Sequence, residues 1–136
     1  MHRFPISNYS RFSELPLDYF DRQKFLIYIL DFNWNYIFVN KLVSENLNTP
    51  VEELIGRNMW VTFKELSQDP DFQILKRNTE GGSASNIITT SPVTGKKLSI
   101  TGYRLEDCYY FSCTILPDKQ SLMDELRDEL KKNKLK

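Results

Sequence analysis

The sequence predicts an α+β domain: a five-stranded antiparallel sheet with short helices on one face and an amphipathic helix at the C-terminus. Three observations predict it. Apolar, β-favouring runs fall into two early and three late segments, and a stretch of helical spacing separates the groups. The connections between successive strand segments are short, which favours antiparallel neighbours. Segregated runs of this kind place the helices together against one sheet rather than alternating them with strands.

At 136 residues the chain is one domain by length, enough to hide about 68% of its unfolded surface. A hydrophobic share of 40% against 26% charged residues excludes a wholly disordered chain. Lys+Arg and Asp+Glu both number 18, so no basic excess exists to release counterions, and no nucleic-acid partner is expected. The longest apolar stretch, Phe25 to Leu30, is six residues, against the roughly 20 that a membrane span needs. No membrane partner is expected, and a reduced, cytoplasmic setting is. Cys108 and Cys113 sit on one predicted strand with side chains on opposite faces, poorly placed to bridge each other or share a metal. His2, near the terminus, is the one histidine, so no His-based metal site is expected.

Three parts are predicted: a capping segment over 1–23, a core over 24–117 and a terminal helix over 118–136. In the first, Phe12, Leu15, Tyr19 and Phe20 have helical spacing, and Pro16 limits any single helix. Lys24 to Phe32 reads as a strand, Asn33-Trp34-Asn35 as a turn and Tyr36 to Val39 as the second strand of a hairpin. Asn40 then caps a short helix through Leu42, Val43 and Leu47, which stops at a left-handed Asn48. Thr49 as capping hydroxyl, Pro50 in the first turn, and Glu52 and Glu53 start another helix that Gly56 closes. Met59 to Leu66 reads as a short turn, and Asp71 to Asn78 as a helix ending near Gly81-Gly82. Strands over Ser83 to Thr90, Lys96 to Leu105 and Cys108 to Leu116 follow. Pro117 halts the last, and Leu122, Met123, Leu126 and Leu130 form one stripe on the closing helix.

The run from Leu30 through Asp31, Asn35 and Tyr36 to Asn40 is similar to the first hairpin of PAS domains, where an Asp opens the turn and an Asn ends the second strand. Leu47 to Arg57 continues that resemblance without a gap, over about residues 12–120 in all. Trp34 stands where the family usually has Gly, so a neighbouring Asn is expected to take the awkward dihedral. The family's Asp-Ile-Thr triplet before the exit helix is not evident around Ile115-Leu116-Pro117.

The resemblance implies a ligand space between the helical block and the inward residues of the last three strands. Met59, Trp60, Phe63 and Phe72 are the candidate cofactor-binding residues, with a packed core of the same side chains as the alternative. No cofactor is named. Residues 41–80 lack His and Cys, which disfavours haem apart from weak ligation by Met59 and removes the thiol that photochemical flavin binding needs. A non-covalent flavin, an organic acid or no ligand all stay open. Asp31 and Asn40 read as turn and cap residues. Cys113 with His2, or Ser121 with Asp124, makes no triad, so no catalytic residues are expected and the protein is read as non-enzymatic. Lys96 and Lys97 are read as solvating a hairpin turn.

The resemblance further implies a sensory or protein-interaction module of signal transduction, of the kind found in two-component systems, that relays ligand or partner binding through its C-terminal helix. A homodimer, or a separate signalling partner such as a histidine kinase, is the expected partner because the chain ends at Lys136. The alternative is a small NTF2-like cone-shaped protein with ligand-binding or acid–base catalytic function. The two differ in where the helical block falls: the PAS reading puts it between the second and third strands.

Overall fold

The computed structural model describes residues 6–117 and, beyond them, Leu126, Arg127 and Leu130. The predicted C-terminal helix, with Leu122, Met123, Ser121 and Asp124, and His2 lie outside the described residues apart from those three positions, of which Leu126 and Leu130 are exposed.

β1 (Leu26–Leu30) and β2 (Tyr36–Val39) form the hairpin, and β3 (Ser85–Thr90), β4 (Lys97–Arg104) and β5 (Tyr109–Ile115) follow the helical block. All pairings are antiparallel, and the spatial order is β2-β1-β5-β4-β3. The last strand therefore lies at the centre, beside the first. Leu30 pairs with Tyr36 and Ile29 with Phe38, so a bulge skips Ile37. That irregularity turns both Tyr36 and Val39, three residues apart, toward the same core.

Between β2 and β3 lie α2 (Lys41–Leu47), α3 (Val51–Leu54), α4 (Met59–Thr62), α5 (Lys64–Ser67) and α6 (Pro70–Glu80). Their inward residues Val43, Leu54, Met59, Leu66, Phe72 and Leu75 pack against Leu26, Leu30, Ile100, Phe111 and Cys113 of the sheet. The opposite face has its own cover. Two 3-10 turns, Ile6–Asn8 and Phe12–Glu14, and α1 (Leu17–Asp21) bring Ile6, Leu15 and Phe20 onto Ile27, Ile29, Cys108 and Tyr110. Cys108 and Cys113 thus belong to opposite cores, and both are free thiols. The N-terminal cover is tied to the β4–β5 turn by Phe12 N–H on Asp107 Oδ1 at 2.9 Å and by the exposed Arg11–Glu106 pair at 2.7 Å.

Local capping chemistry explains most helix boundaries. Asn40 Oδ1 accepts from Val43 N–H, and Asn48 closes α2 at φ 51°. Asp69 caps α6 by accepting from the Asp71 and Phe72 N–H groups, so this helix starts before the predicted Asp71 and runs to Glu80. Close approach of α6 to the sheet depends on Gly102. A Cβ there would fall 2.7 Å from the Phe111 ring and 2.9 Å from Thr79 Oγ1.

Three expectations need correction. Trp34 itself takes the left-handed dihedral, at φ 66°, and neither neighbouring Asn does. Thr49 does not cap the next helix: its hydroxyl donates to Leu47 O at 3.0 Å, and Pro50 occupies the N-cap position with no side-chain bond. The single turn expected over Met59 to Leu66 is two helices. They break at Phe63, whose φ of −117° and ψ of 76° are not helical.

Candidate functional site

A cavity of about 70 Å³ lies between the helical layer and the inner face of the sheet. Its sheet side comes from Leu26 and Tyr28 on β1, Tyr36 on β2, Leu98 and Ile100 on β4, and Cys113 on β5. Its helical side comes from Val43, Asn46 and Leu47 on α2, from Met59 and Phe63, and from Leu66 and Phe72. The alternation of each strand dictates which side chains reach it, because only every second residue faces the helices. Ligand pockets ordinarily measure about 300–1,000 Å³. In this shape the space therefore admits neither haem nor a flavin, and anything larger than a few heavy atoms requires the helical layer to move.

Met59, Phe63 and Phe72 all line the cavity, and Trp60 does not. Helical geometry accounts for the separation. Met59 and Phe63 are four residues apart and share a face, whereas Trp60 is rotated by about 100° from Met59. Trp60 packs instead edge-on to Trp34, with ring centroids 5.2 Å apart, and the Lys76 ammonium lies 6.0 Å from its ring. Its indole N–H is buried with no hydrogen-bond partner among the described residues. Trp34 has one: its N–H donates to Glu80 Oε2 at 3.0 Å.

Three polar groups line the cavity that the sequence did not assign to it: Tyr28, Tyr36 and Cys113. The Cys113 thiol donates to Tyr28 Oη at 3.8 Å, and Tyr36 packs edge-on to the Tyr28 ring at 6.1 Å. Burial pushes the Cys113 thiol up to about 12, opposed by its bond to Tyr28. Burial likewise carries the Tyr28 and Tyr36 phenols well above the usual phenol range. All three stay neutral near pH 7, as hydrogen-bonding groups in an apolar wall. The signal available in the sequence was their alternate placement on strands already recognised.

One edge of the cavity is polar. Asn46, Leu47, Val93 and Thr94 are only half-buried, and they form its rim between α2 and the β3–β4 turn. Ser91, buried, organises that turn by accepting from the Val93 and Thr94 N–H groups. Lys96 crosses the rim: its Nζ donates to Asn46 Oδ1 at 2.8 Å. The lysine expected merely to solvate a turn therefore ties the turn to α2.

A second buried polar centre joins the layers. Asn40 has no exposed surface. Its Oδ1 accepts from Ile27 N–H and Val43 N–H, both at 3.2 Å, while its Nδ2 donates to Phe20 O at 3.0 Å and Phe25 O at 2.9 Å. Lys41 N–H donates to Asp21 Oδ1 at 2.7 Å beside it. The start of α2, the end of α1 and strand β1 thus meet on one side chain. Asp31 is likewise a turn residue, accepting from the Asn33 and Asn35 N–H groups at 2.9 Å. Among the described residues no group of three His, Cys, Asp or Glu side chains could hold a metal ion, and no helix is long and apolar enough to cross a membrane.

A five-stranded sheet in this order, with its helical block between β2 and β3, is the PAS architecture, and the chain has a PAS-like fold. Solved structures similar to it are PAS domains of sensory proteins. The PAS domain of BvgS from Bordetella pertussis superposes with a TM-score of 0.65 at 9% identity, over 85% of this chain and 94% of that one. The photoactive yellow protein domain of the sensor histidine kinase Ppr from Rhodospirillum centenum gives 0.60 at 18% identity, over 75% and 94%. The PAS domain of the RpfR quorum-sensing receptor from Cronobacter turicensis, in complex with BDSF, gives 0.56 at 21% identity, over 71% and 97%. No family model matches the sequence, and no curated protein matches it.

Proposed function

We propose that this protein is a non-enzymatic sensory module of signal transduction, in which a small molecule entering the cavity between helical layer and sheet changes how the two pack. The observation that carries this reading is the cavity itself, an apolar space with a few neutral polar atoms in the layer interface of a fold shared with sensor domains. A ligand that fits one packing better than another shifts the population toward it. Met59, Phe63 and Phe72 are the residues of the helical layer that such a ligand would touch.

Two exits from the cavity support a relay. Cys113 lies on the central strand β5, which leads through Leu116 and Pro117 into residues 118–136. We read that segment as the output helix, with its Leu122, Met123, Leu126 and Leu130 stripe meeting a second copy or a signalling partner such as a histidine kinase. About two heptads are too short for a coiled coil on their own, so the core has to contribute to any dimer. Val43, Asn46 and Leu47 lie on α2, whose N-cap Asn40 bonds Phe20 O and whose first residue Lys41 bonds Asp21, both in the N-terminal cover.

Native mass spectrometry of freshly purified protein, paired with its visible absorption spectrum, tests the reading in one preparation. The expected result is a dimer carrying a non-covalent small molecule without visible absorption. A ligand-free monomer at every concentration tried contradicts both the ligand and the dimer.

A further inference from the structure

The two edges of the sheet differ. β2, at one edge, is bonded on its outer side to the chain that follows. Tyr36 N–H donates to Arg57 O at 3.0 Å, Gly56 N–H donates to Tyr36 O at 2.8 Å, and Asn35 bridges Asn58. β3, at the other edge, has no strand on its outer side among the described residues. Ser91 N–H donates to Lys96 O at 2.8 Å, which fixes the alternation: odd-numbered residues of β3 turn their backbone groups to β4, and Asn86, Ile88 and Thr90 turn theirs outward. Sheet edges are ordinarily guarded by charge, proline or a bulge. Ser85–Thr90 contains no charged residue and no proline, and its register with β4 is unbroken.

Isoleucines flank this open edge. Ile88 is exposed on the outer face of the sheet, and Ile87 is half-buried on the inner face. α6 runs antiparallel to β3 on that inner face: Thr89 Oγ1 donates to Asp71 Oδ2 at 2.7 Å near one end, and Asn78 Nδ2 donates to Ser85 Oγ at 3.5 Å near the other. Ile74 lies between Asp71 and Asn78 on the β3 side of the helix. It is exposed, rotated away from Phe72, Leu75 and Thr79, which face the core. The helix and the strand share a centre, because the midpoint of 71 and 78 falls at Ile74 and Leu75 and that of 85 and 89 falls at Ile87. A two-fold axis perpendicular to the sheet at Ile87 therefore pairs β3 with the β3 of a second copy and lays α6 against its own copy at Ile74. In that register Asn86 and Ile88 exchange hydrogen bonds with Ile88 and Asn86 of the second copy. Ile87 meets itself in the closer, non-hydrogen-bonded kind of pair, and the two Ile74 side chains close over it. Arg77, one turn beyond Ile74, comes level with Asp71 of the second copy, so opposite charges meet along the helices.

We propose that the β3 edge and the Ile74 side of α6 together form a homodimer interface, in which the two sheets are continuous across a two-fold axis at Ile87. A foreign strand could pair with the edge, but only a second copy brings an α6 whose centre coincides with that of the strand. The interface rests on the dimer in the reading above and supplies the contribution of the core that the short C-terminal stripe requires.

Sedimentation equilibrium of the full chain, with cross-linking of single-cysteine additions, tests this. The wild type should be dimeric. Ile74→Glu, which keeps an exposed site exposed in the monomer and sets two like charges together at the axis, should weaken the dimer at least about tenfold. Val61→Glu, at an exposed apolar residue of α4 outside this surface, should leave it unchanged. Under mild oxidation Ile87→Cys should form a disulfide with its own copy. Thr90→Cys, three residues along β3 and so about 20 Å from its copy, should not. A dimer that Ile74→Glu leaves intact, or Thr90→Cys cross-linking as readily as Ile87→Cys, overturns the proposal and leaves dimerisation through the C-terminal stripe standing. A wild type that is monomeric throughout overturns the proposal, leaves the edge to a different partner strand, and counts against the dimer in the reading above.

Discussion

Replacing Asn40 by Asp should destabilise the fold by about 3 kcal/mol, measured by urea denaturation, although Asn and Asp are ordinarily interchangeable as helix caps. The capping function alone predicts no loss, since a carboxylate oxygen would still accept from Val43 N–H and Ile27 N–H. The other half of the side chain decides the outcome. Nδ2 faces two carbonyls, Phe20 O and Phe25 O, and a second carboxylate oxygen there would oppose both. Phe20 O keeps the Gln23 N–H and loses one of its donors, Phe25 O loses the amide, at about 1–3 kcal/mol for an acceptor left unsatisfied, and a negative charge is placed on a side chain with no exposed surface. Asn40→Asp as stable as wild type would mean that the contact between α1 and α2 is not held by this amide.

Trp34→Gly should also destabilise, by about 2–3 kcal/mol, even though it places the residue best suited to the backbone at φ 66°. Two effects compete. Relieving a left-handed dihedral in a bulky residue recovers about 1–2 kcal/mol. Removing a large buried aromatic from a core costs about 3–5 kcal/mol. Trp34 is only 4% exposed, with Tyr109 at 4.7 Å and Phe111 at 5.7 Å between ring centroids, and it bonds Glu80 through its indole. Packing outweighs strain. An equilibrium unfolding curve in which the Gly variant matches or exceeds the wild type would reverse that ordering.

The contrast between these two positions marks what could be read from the sequence. Asp31, Asn48 and the capping bond of Asn40 to Val43 N–H act within a few residues, so these roles follow from neighbours in the chain, and the hairpin, α2 and the strand sequence were legible with them; the bonds of Asn40 to Phe20, Phe25 and Ile27, 13 to 20 positions away, were not. The dihedral of Trp34 was not, because what holds it there is distant: Tyr109 and Phe111 come from the far end of the chain. Thr49 carries a good capping group, but its hydroxyl finds Leu47 O behind it instead of the helix ahead. The division of 59–66 at Phe63 likewise reflects a side chain turned to the cavity rather than local propensity.

For the candidate site, Met59, Trp60, Phe63 and Phe72 were named on the resemblance, and helical spacing could have set Trp60 apart from Met59. Tyr28 and Tyr36 were less legible, since an aromatic on a strand serves a core as readily as a cavity wall. The link from Lys96 to Asn46 spans 50 positions, and no pattern in the sequence announces it.

The space beneath the helical layer is the centre of the functional account, and Met59 reports on it directly. The chain has three methionines, Met1, Met59 and Met123, and Met59 is buried in the main core and lines the cavity, so methyl-labelled protein carries a reporter there. Titrating that sample with hexanoate or 1-hexanol should move the Met59 methyl signal saturably. Saturable binding of either compound that leaves Met59 unmoved would place the ligand elsewhere and contradict the account.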